Sequence, residues 1–454
     1  MKKFLSVLLV ALMVLALFSC DKGDEITEAK PSDAAVKSKN YSFDLAEATY
    51  CFNRFYIEFC NENSKYLSYY GIDKSKSLKE QEYTSEMSWF DYFLDSTKSY
   101  LNEILLFCEK AKAEGYTLGE EEEKQVDEII KLFHEEAEGN GYTIEEFCST
   151  MYGDIVTIDT IKGFVEKEKL AFKYYNDLLA TYEFTEEEQD KYLKENPDEF
   201  YYVDYVYYTF DEKNDRDAAA NAKELAATAD SEAFYSYIEN YESTVIELGE
   251  DEEGGASESH YVLRDGDVGD WAFSAKVGDK YVDENAARGI YTTYMLTSAP
   301  QLQEYNVRNI RYICLTKGTY ISNEKAKGQA EDIIKEWEDG GKTAELFAEL
   351  AKEHSEDEST ASNGGLCTDV DKTNSILSDE GVEWLFNEAE VGDLKLFKEE
   401  TMYYIVYLES IGDVQWRVNA NDIMSELQYL RDVEAMEADF NIEMVDGVLQ
   451  QIDE

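Results

Sequence analysis

Basic side chains, histidines and prolines are scarce in these 454 residues, and each shortage excludes something. Against 99 Asp and Glu stand 42 Lys and Arg, a formal net charge of −57. A field of that sign repels nucleic acid and anionic lipid, keeps the molecule soluble and favours basic partners. The three histidines, His134, His260 and His354, share no zinc-ligand spacing with one another or with any cysteine. No metal and no cofactor are therefore expected. Cys51, Cys60, Cys108, Cys148, Cys314 and Cys367 lack a Cys-x-x-Cys pair and fall on apolar positions, which predicts buried free thiols rather than a disulfide framework. The three prolines are Pro31, Pro197 and Pro300, so long helices can run unbroken between them. Hydrophobic residues make up 44% of the chain, with 35 Tyr and 22 Phe, enough for packed cores and too many for a disordered acidic tail.

Long apolar runs are missing too, apart from Phe4 to Phe18 behind the basic Met1-Lys-Lys3. A helix needs ~20 apolar residues to span a bilayer, so this shorter run has the form of a secretory signal. It ends in Leu17-Phe-Ser-Cys20, which resembles a bacterial lipobox. The resemblance implies a signal peptide over 1–19 and lipidation at Cys20, with the lipid as the membrane anchor of an extracytoplasmic protein. Residues 20–43 are small, polar and aperiodic, which predicts a flexible tether. Without Lys2 and Lys3 the mature chain has 40 basic and 99 acidic residues, a net charge near −59.

From residue 44 to 198 apolar residues recur at helical spacing, as in Val126, Ile129, Ile130 and Phe133. Thr117/Glu120, Thr143/Glu146 and Thr185/Glu188 read as capping boxes, and Gly115 and Gly141 stand where helices should stop. Beyond Pro197 the pattern changes. Trp271-Ala-Phe-Ser-Ala-Lys-Val-Gly-Asp279 recurs, one residue longer, as Trp384-Leu-Phe-Asn-Glu-Ala-Glu-Val-Gly-Asp393. A tyrosine-rich strand follows each phrase, and a similar strand opens each copy: Val203 to Tyr208, then Val307 to Tyr312. This predicts duplicated modules at 199–301 and 305–410, followed by a C-terminal helix over 414–454.

The second copy adds Phe347-Ala-Glu-Leu-Ala-Lys-Glu-His-Ser355, Asp357 and Gly364-Gly-Leu366. In order and spacing it resembles a parvulin-type peptidyl-prolyl cis-trans isomerase (rotamase) domain. The whole order, helices, module, module, helix, is similar to that of extracytoplasmic parvulin foldases of the PrsA and SurA group. The fold this implies is α+β: an all-helical chaperone domain, two tandem parvulin-like α/β modules, and a terminal helix that returns to the helical domain. The partners it implies are unfolded secreted polypeptides.

In parvulins two histidines stack beside a cysteine or aspartate, above an apolar pocket. Matched to the motif, the first histidine falls on Asn309 and the second on Tyr404, with Tyr205 and Tyr291 in the first copy. The cysteine-or-aspartate position falls on Asp357, and only the second copy has it. Leu366, Ile376, Trp384 and Phe386 are candidates for the substrate-binding wall. With both histidines replaced, the resemblance implies a foldase whose first module is silent and whose second is weakly active or silent. Two rivals are a holdase or scaffold that uses the modules only to bind, and a solute-binding lipoprotein. The helical first third opposes the latter.

Overall fold

The computed structural model describes residues 28–245, 256–316, 323–373, 375–399 and 402–453. The leader and Cys20 lie outside them. The described chain is α+β and forms two compact units: residues up to Glu183 with Ser425 onward, and Phe184–Met424.

The first unit is built on helices Leu45–Glu62, Trp89–Ala113, Glu120–Gly139, Ile144–Tyr152 and Ile158–Leu179. Thr143 and Glu146 exchange capping bonds as expected, and Gly115 and Gly141 take positive φ just past their helices. The Thr117/Glu120 expectation is corrected by two residues. The helix is capped at Gly119, whose N–H donates to Glu122 at 2.7 Å. Phe43, Phe52, Phe90, Leu101, Ile104 and Phe164 are fully buried in this unit's core. Tyr429, Met436, Leu449 and Ile452 from the C-terminal segment belong to the same core, and the Tyr429 hydroxyl donates to Glu103. That segment is not one helix: the helix Gln415–Asp439 is followed by an extended pair, Glu443–Met444, and a short turn of helix, Asp446–Leu449.

The expected tether is corrected where it is described. β1 (Ala34–Lys37) and β2 (Ser42–Asp44) form a small antiparallel sheet with Glu443–Met444, and Ala35 and Val36 are fully buried. The turn between β1 and β2 is pinned by Glu109, which accepts from the Ser38 hydroxyl at 2.6 Å and the Asn40 N–H at 2.5 Å. The partner strand lies some four hundred residues away, so nothing local in the sequence announces the pairing. A hairpin of β3 (Glu82–Thr84) and β4 (Met87–Ser88) leads into the second long helix.

The second unit starts with helix Glu186–Glu195, which the sequence pattern had grouped with the helical domain. Its Tyr192 and Leu193 pack instead with Phe200, Trp416 and Ala420. Two sheets of matching topology follow. The first has β5 (Tyr201–Asp211), β6 (Ser257–Val262), β7 (Lys280–Asn285) and β8 (Ile290–Leu296) in the order β6-β5-β8-β7, with β9 (Gln301–Leu302) added beside β5. The second has β10 (Asn306–Thr316), β11 (Leu366–Val370), β12 (Leu394–Lys398) and β13 (Met402–Val414) in the order β11-β10-β13-β12. In each, two longer helices lie between the first and second strands in sequence, Ala218–Ala226 and Ser231–Val245, then Asn323–Asp339 and Ala344–His354, and the second module adds the short helix Glu358–Ala361. Alternation along β10 sends Ile313 and Leu315 to the helices, where Phe347, Leu350 and Trp337 meet them. It sends Ile310, Tyr312 and Cys314 to the other face.

Candidate functional site

On that other face of the second sheet, three elements converge. β10 and β13 run antiparallel with Cys314 opposite Tyr404 and Tyr312 opposite Val406. β12 sets Phe397 opposite Tyr404 from the far side. The third element is the loop after helix Ala344–His354. The Ser355 hydroxyl accepts from the Cys314 N–H at 3.1 Å, and Glu356 N–H donates to the Cys314 carbonyl at 2.9 Å. These bonds lock the loop to the strand and deliver Asp357 to the Tyr312 hydroxyl, which donates to its carboxylate.

The diglycine explains how the loop comes so close. Gly364 and Gly365 have φ of 67° and 71°, and the Tyr312 N–H donates to the Gly365 carbonyl at 2.9 Å. A Cβ on Gly365 would stand 2.2 Å from the Tyr312 carbonyl oxygen, and one on Gly364 would stand 2.7 Å from Ala348 Cβ. Only glycine satisfies both conditions at these two positions.

Asp357 caps the short helix Glu358–Ala361 and accepts from the Ser359 N–H at 3.0 Å and the Thr360 hydroxyl at 3.3 Å. Burial alone would raise its pKa, but the hydrogen bonds from Ser359, Tyr312 and Thr360 outweigh that and hold it below the ordinary 3.8. It is a carboxylate at neutral pH. Burial, reinforced by the neighbouring carboxylate, pushes the Tyr312 phenol well up. The Tyr404 phenol rises to about 12, through burial first and then the Cys314 thiol beside it. Burial also raises Cys314, so the thiol stays protonated and is no nucleophile. The Tyr312 and Tyr404 rings meet edge to face at 5.9 Å, and the Tyr404 hydroxyl donates to Met402 Sδ at 3.0 Å.

The site that forms is therefore Tyr312, Tyr404 and Asp357, with Cys314 and Met402 at its edge. Asn309 is not part of it. It lies three residues before Tyr312, toward the other end of β10, where its amide donates to the Ser410 hydroxyl at 3.0 Å and accepts from the Asp369 N–H at 2.9 Å. There it supports Asp369, a residue at positive φ. The missed residue is Tyr312. Its signal in the sequence is its parity with Cys314 on one strand face, a parity that Asn309 does not share.

The expected wall is also rearranged. Trp384 is buried against Phe397 at 5.3 Å as part of the module's packing. Phe386 turns to Tyr305 at 5.6 Å, under the Arg308 guanidinium at 4.8 Å. Leu366 lies beside Cys367, which faces the site, so alternation directs Leu366 to the opposite face. Ile376 is 38% exposed, and its neighbour Leu377 enters the apolar cluster in its place. The apolar cluster around Tyr312 and Tyr404 includes Leu377, Trp384, Leu385 and Phe397, with Phe386 and Met402 packed against it.

The first module has no such constellation among its described residues. Tyr205 and Tyr291 lie on opposite faces: Tyr291 belongs to the helix side, and its hydroxyl donates to Glu212 at 2.9 Å. Tyr205 instead meets Tyr294 at 5.1 Å, with Tyr207 beside both. Residues 246–255, between the second helix of this module and β6, lie outside the described residues.

Residues 313–410 match the family model described as "Rotamase: PPIC-type PPIASE domain". The second module thus matches the family of parvulin-type peptidyl-prolyl isomerase domains. Among solved structures, the chain is similar to the foldase protein PrsA from Streptococcus pneumoniae, at 15% identity and a TM-score of 0.22, over 77% of this chain and 80% of that one. At that score the likeness places no element of this chain. No curated protein matches.

Proposed function

We propose that this chain, which carries a PPIC-type isomerase domain at 313–410, is a foldase for secreted polypeptides, anchored outside the cell membrane by a lipid on Cys20. Its isomerase activity is weak. The observation that carries the reading is the set Tyr312, Tyr404 and Asp357 gathered on one sheet face of the matched module.

Rotation about an X-Pro bond is opposed by ~18–20 kcal/mol of amide resonance, and an isomerase needs no nucleophile, only better binding of the twisted amide than of the planar one. Partly buried Met402, backed by buried Leu377 and Phe397, gives the site an apolar side for a proline ring. Asp357 supplies negative charge, and the two phenols supply polar atoms beside it. Both phenol protons are already engaged, one on Asp357 and one on Met402. A donor must break an existing bond before it can serve a twisted amide, which is the physical reason for slow turnover. Client binding does not share that penalty, since it draws on groove shape and on surfaces outside the site.

The test uses the full chain with Cys20→Ala and a proline peptide followed by NMR exchange. Asp357→Ala should lower the small natural rate at least tenfold, while Tyr312→His with Tyr404→His should raise it. Activity that ignores Asp357→Ala sinks the assignment. In cells, Cys20→Ala should move the protein from the membrane fraction to the soluble fraction, and retention after a high-salt wash removes the anchor from the reading.

A further inference from the structure

The two modules share one local irregularity and fill it with different residues. The pairing of β5 with β6 slips between Val203 and Tyr205, and that of β10 with β11 slips between Arg308 and Ile310. Each slip leaves a residue at positive φ, Tyr261 at 56° and Asp369 at 54°. Each of these is pinned by the first strand of its own module. The Tyr261 N–H donates to Asp204 Oδ1 at 2.9 Å, and the Asp369 N–H to Asn309 Oδ1 at 2.9 Å. The bulge therefore belongs to the shared fold, but the tyrosine does not. Aspartate enters the left-handed region readily, whereas a bulky aromatic residue there is an outlier whose strain the surroundings must offset.

The offset lies in where the Tyr261 ring goes. Its centroid stands 5.2 Å from Nζ of Lys372, on the connection that leaves β11 in the second module. Tyr305, between the modules, and Phe386, in the second, stand 4.9 and 5.7 Å from the same ammonium. The rings also meet one another, Tyr261 against Tyr305 at 5.9 Å and Tyr305 against Phe386 at 5.6 Å. Tyr202 backs Tyr261 at 4.9 Å. One ammonium thus joins ring faces from both modules, an attraction that grows as water is excluded. In a chain with 99 acidic residues, Lys372 pairs with no carboxylate among the described residues and is held by rings instead.

From this clasp the chain leads into the isomerase site. Five residues after Lys372, Leu377 is buried in the apolar cluster that contains Tyr312 and Tyr404, and Phe386 packs against that cluster. Arg308 fixes the backbone there, donating to the Leu385 and Phe386 carbonyls at 3.1 Å each. Whatever holds Lys372 and Phe386 from outside therefore also holds the apolar side of the site.

We propose that the first module is a positioning element for the second: through Tyr261 and Lys372 it fixes Leu377 and Phe386, and with them the apolar side of the site. The link to turnover rests on the isomerase reading above; the clasp does not.

Tyr261→Gly separates the clasp from general stability, because it removes the ring and relieves the backbone in one change. In the full chain carrying Cys20→Ala, amides of β5 should keep their protection in this variant. Across the clasp, the N–H groups of Thr373, Leu377 and Ala389, which donate to Asp371, Ser375 and Trp384, should exchange about tenfold faster. Lys372→Met should give the same result, and Lys372→Arg should not, since a guanidinium keeps charge over the rings. On a proline peptide, Tyr261→Gly and Lys372→Met should lower kcat/KM several-fold, while Lys372→Arg should hold it near the natural value. Natural protection across the clasp in both loss variants overturns the proposal, as does faster exchange confined to the first module. Faster exchange across the clasp with natural kcat/KM also overturns it, because the site then does not feel the contact. Faster exchange in a chain with no measurable isomerisation supports the clasp and refutes the isomerase reading instead.

Discussion

Gly365→Ala tests how Asp357 is brought to Tyr312. The added Cβ would stand 2.2 Å from the Tyr312 carbonyl oxygen and 3.1 Å from its nitrogen, so the strand and the loop must separate. The backbone there has φ of 71°, a left-handed conformation that costs an L-residue about 1–2 kcal/mol. Separation also breaks the 2.9 Å bond from the Tyr312 N–H to the Gly365 carbonyl, a net loss of about 1 kcal/mol. Together these make about 2–3 kcal/mol, lost locally because the neighbouring β10–β13 ladder does not depend on the loop. Native-state hydrogen exchange is the matching assay. Amides of Tyr312, Gly364 and Gly365 should exchange roughly 30- to 150-fold faster, since each 1.4 kcal/mol is tenfold. Amides of Ile405 and Val406 on the far side of the ladder should hold. Gly266→Ala is the control: its φ is 61° but no atom lies within 4 Å of the added Cβ, so only the left-handed strain should appear at its own turn. Equal effects at the two glycines, or an effect under about fivefold at Gly365, would refute the close-approach argument.

Two further outcomes follow from the same structure. Removing everything after Asp413 takes Tyr429, Met436, Leu449 and Ile452 out of the helical unit's core, and should lower that unit's melting temperature while the 305–410 module keeps its protease resistance; unchanged melting of the helical unit would contradict it. Because the folded pKa of Asp357 lies below its ordinary 3.8, the carboxylate stabilises the fold above that value and loses its effect as pH falls through the folded pKa. Asp357→Ala should therefore be less stable than the natural chain at pH 7 and converge on it as pH falls below the folded pKa, a comparison made by denaturant titration at several pH values.

Much of the architecture was legible because it is local. Capping boxes at Thr143 and Thr185, stop glycines at 115 and 141, and the repeated Trp-to-Asp phrase each act within a few residues of where they are read. The repeat predicted two modules, and the sheets show the same strand order twice. Asp357 and Tyr404 could be picked out for the same reason, since Ser355, Asp357 and Gly364-Gly365 lie in one short loop and Tyr404 starts a strand. Asn309 failed as their companion because it lies three residues before Tyr312 on β10, about 10 Å back along the strand and of opposite parity to Tyr312 and Cys314.

What the sequence determined by itself is what depends on nearest neighbours in the chain: helix starts and stops, strand alternation, the duplication, and the glycines a tight loop demands. Tertiary structure decided whatever depends on a distant partner. It folded residues 34–44 into a sheet with 443–444, buried Trp384 in the module and turned Phe386 to Tyr305. It set Tyr312 rather than Asn309 against Asp357. Pattern along the chain encodes which face is apolar, but only packing settles which apolar face meets which, because that choice is made by burial and hydrogen-bond satisfaction summed over segments remote in sequence.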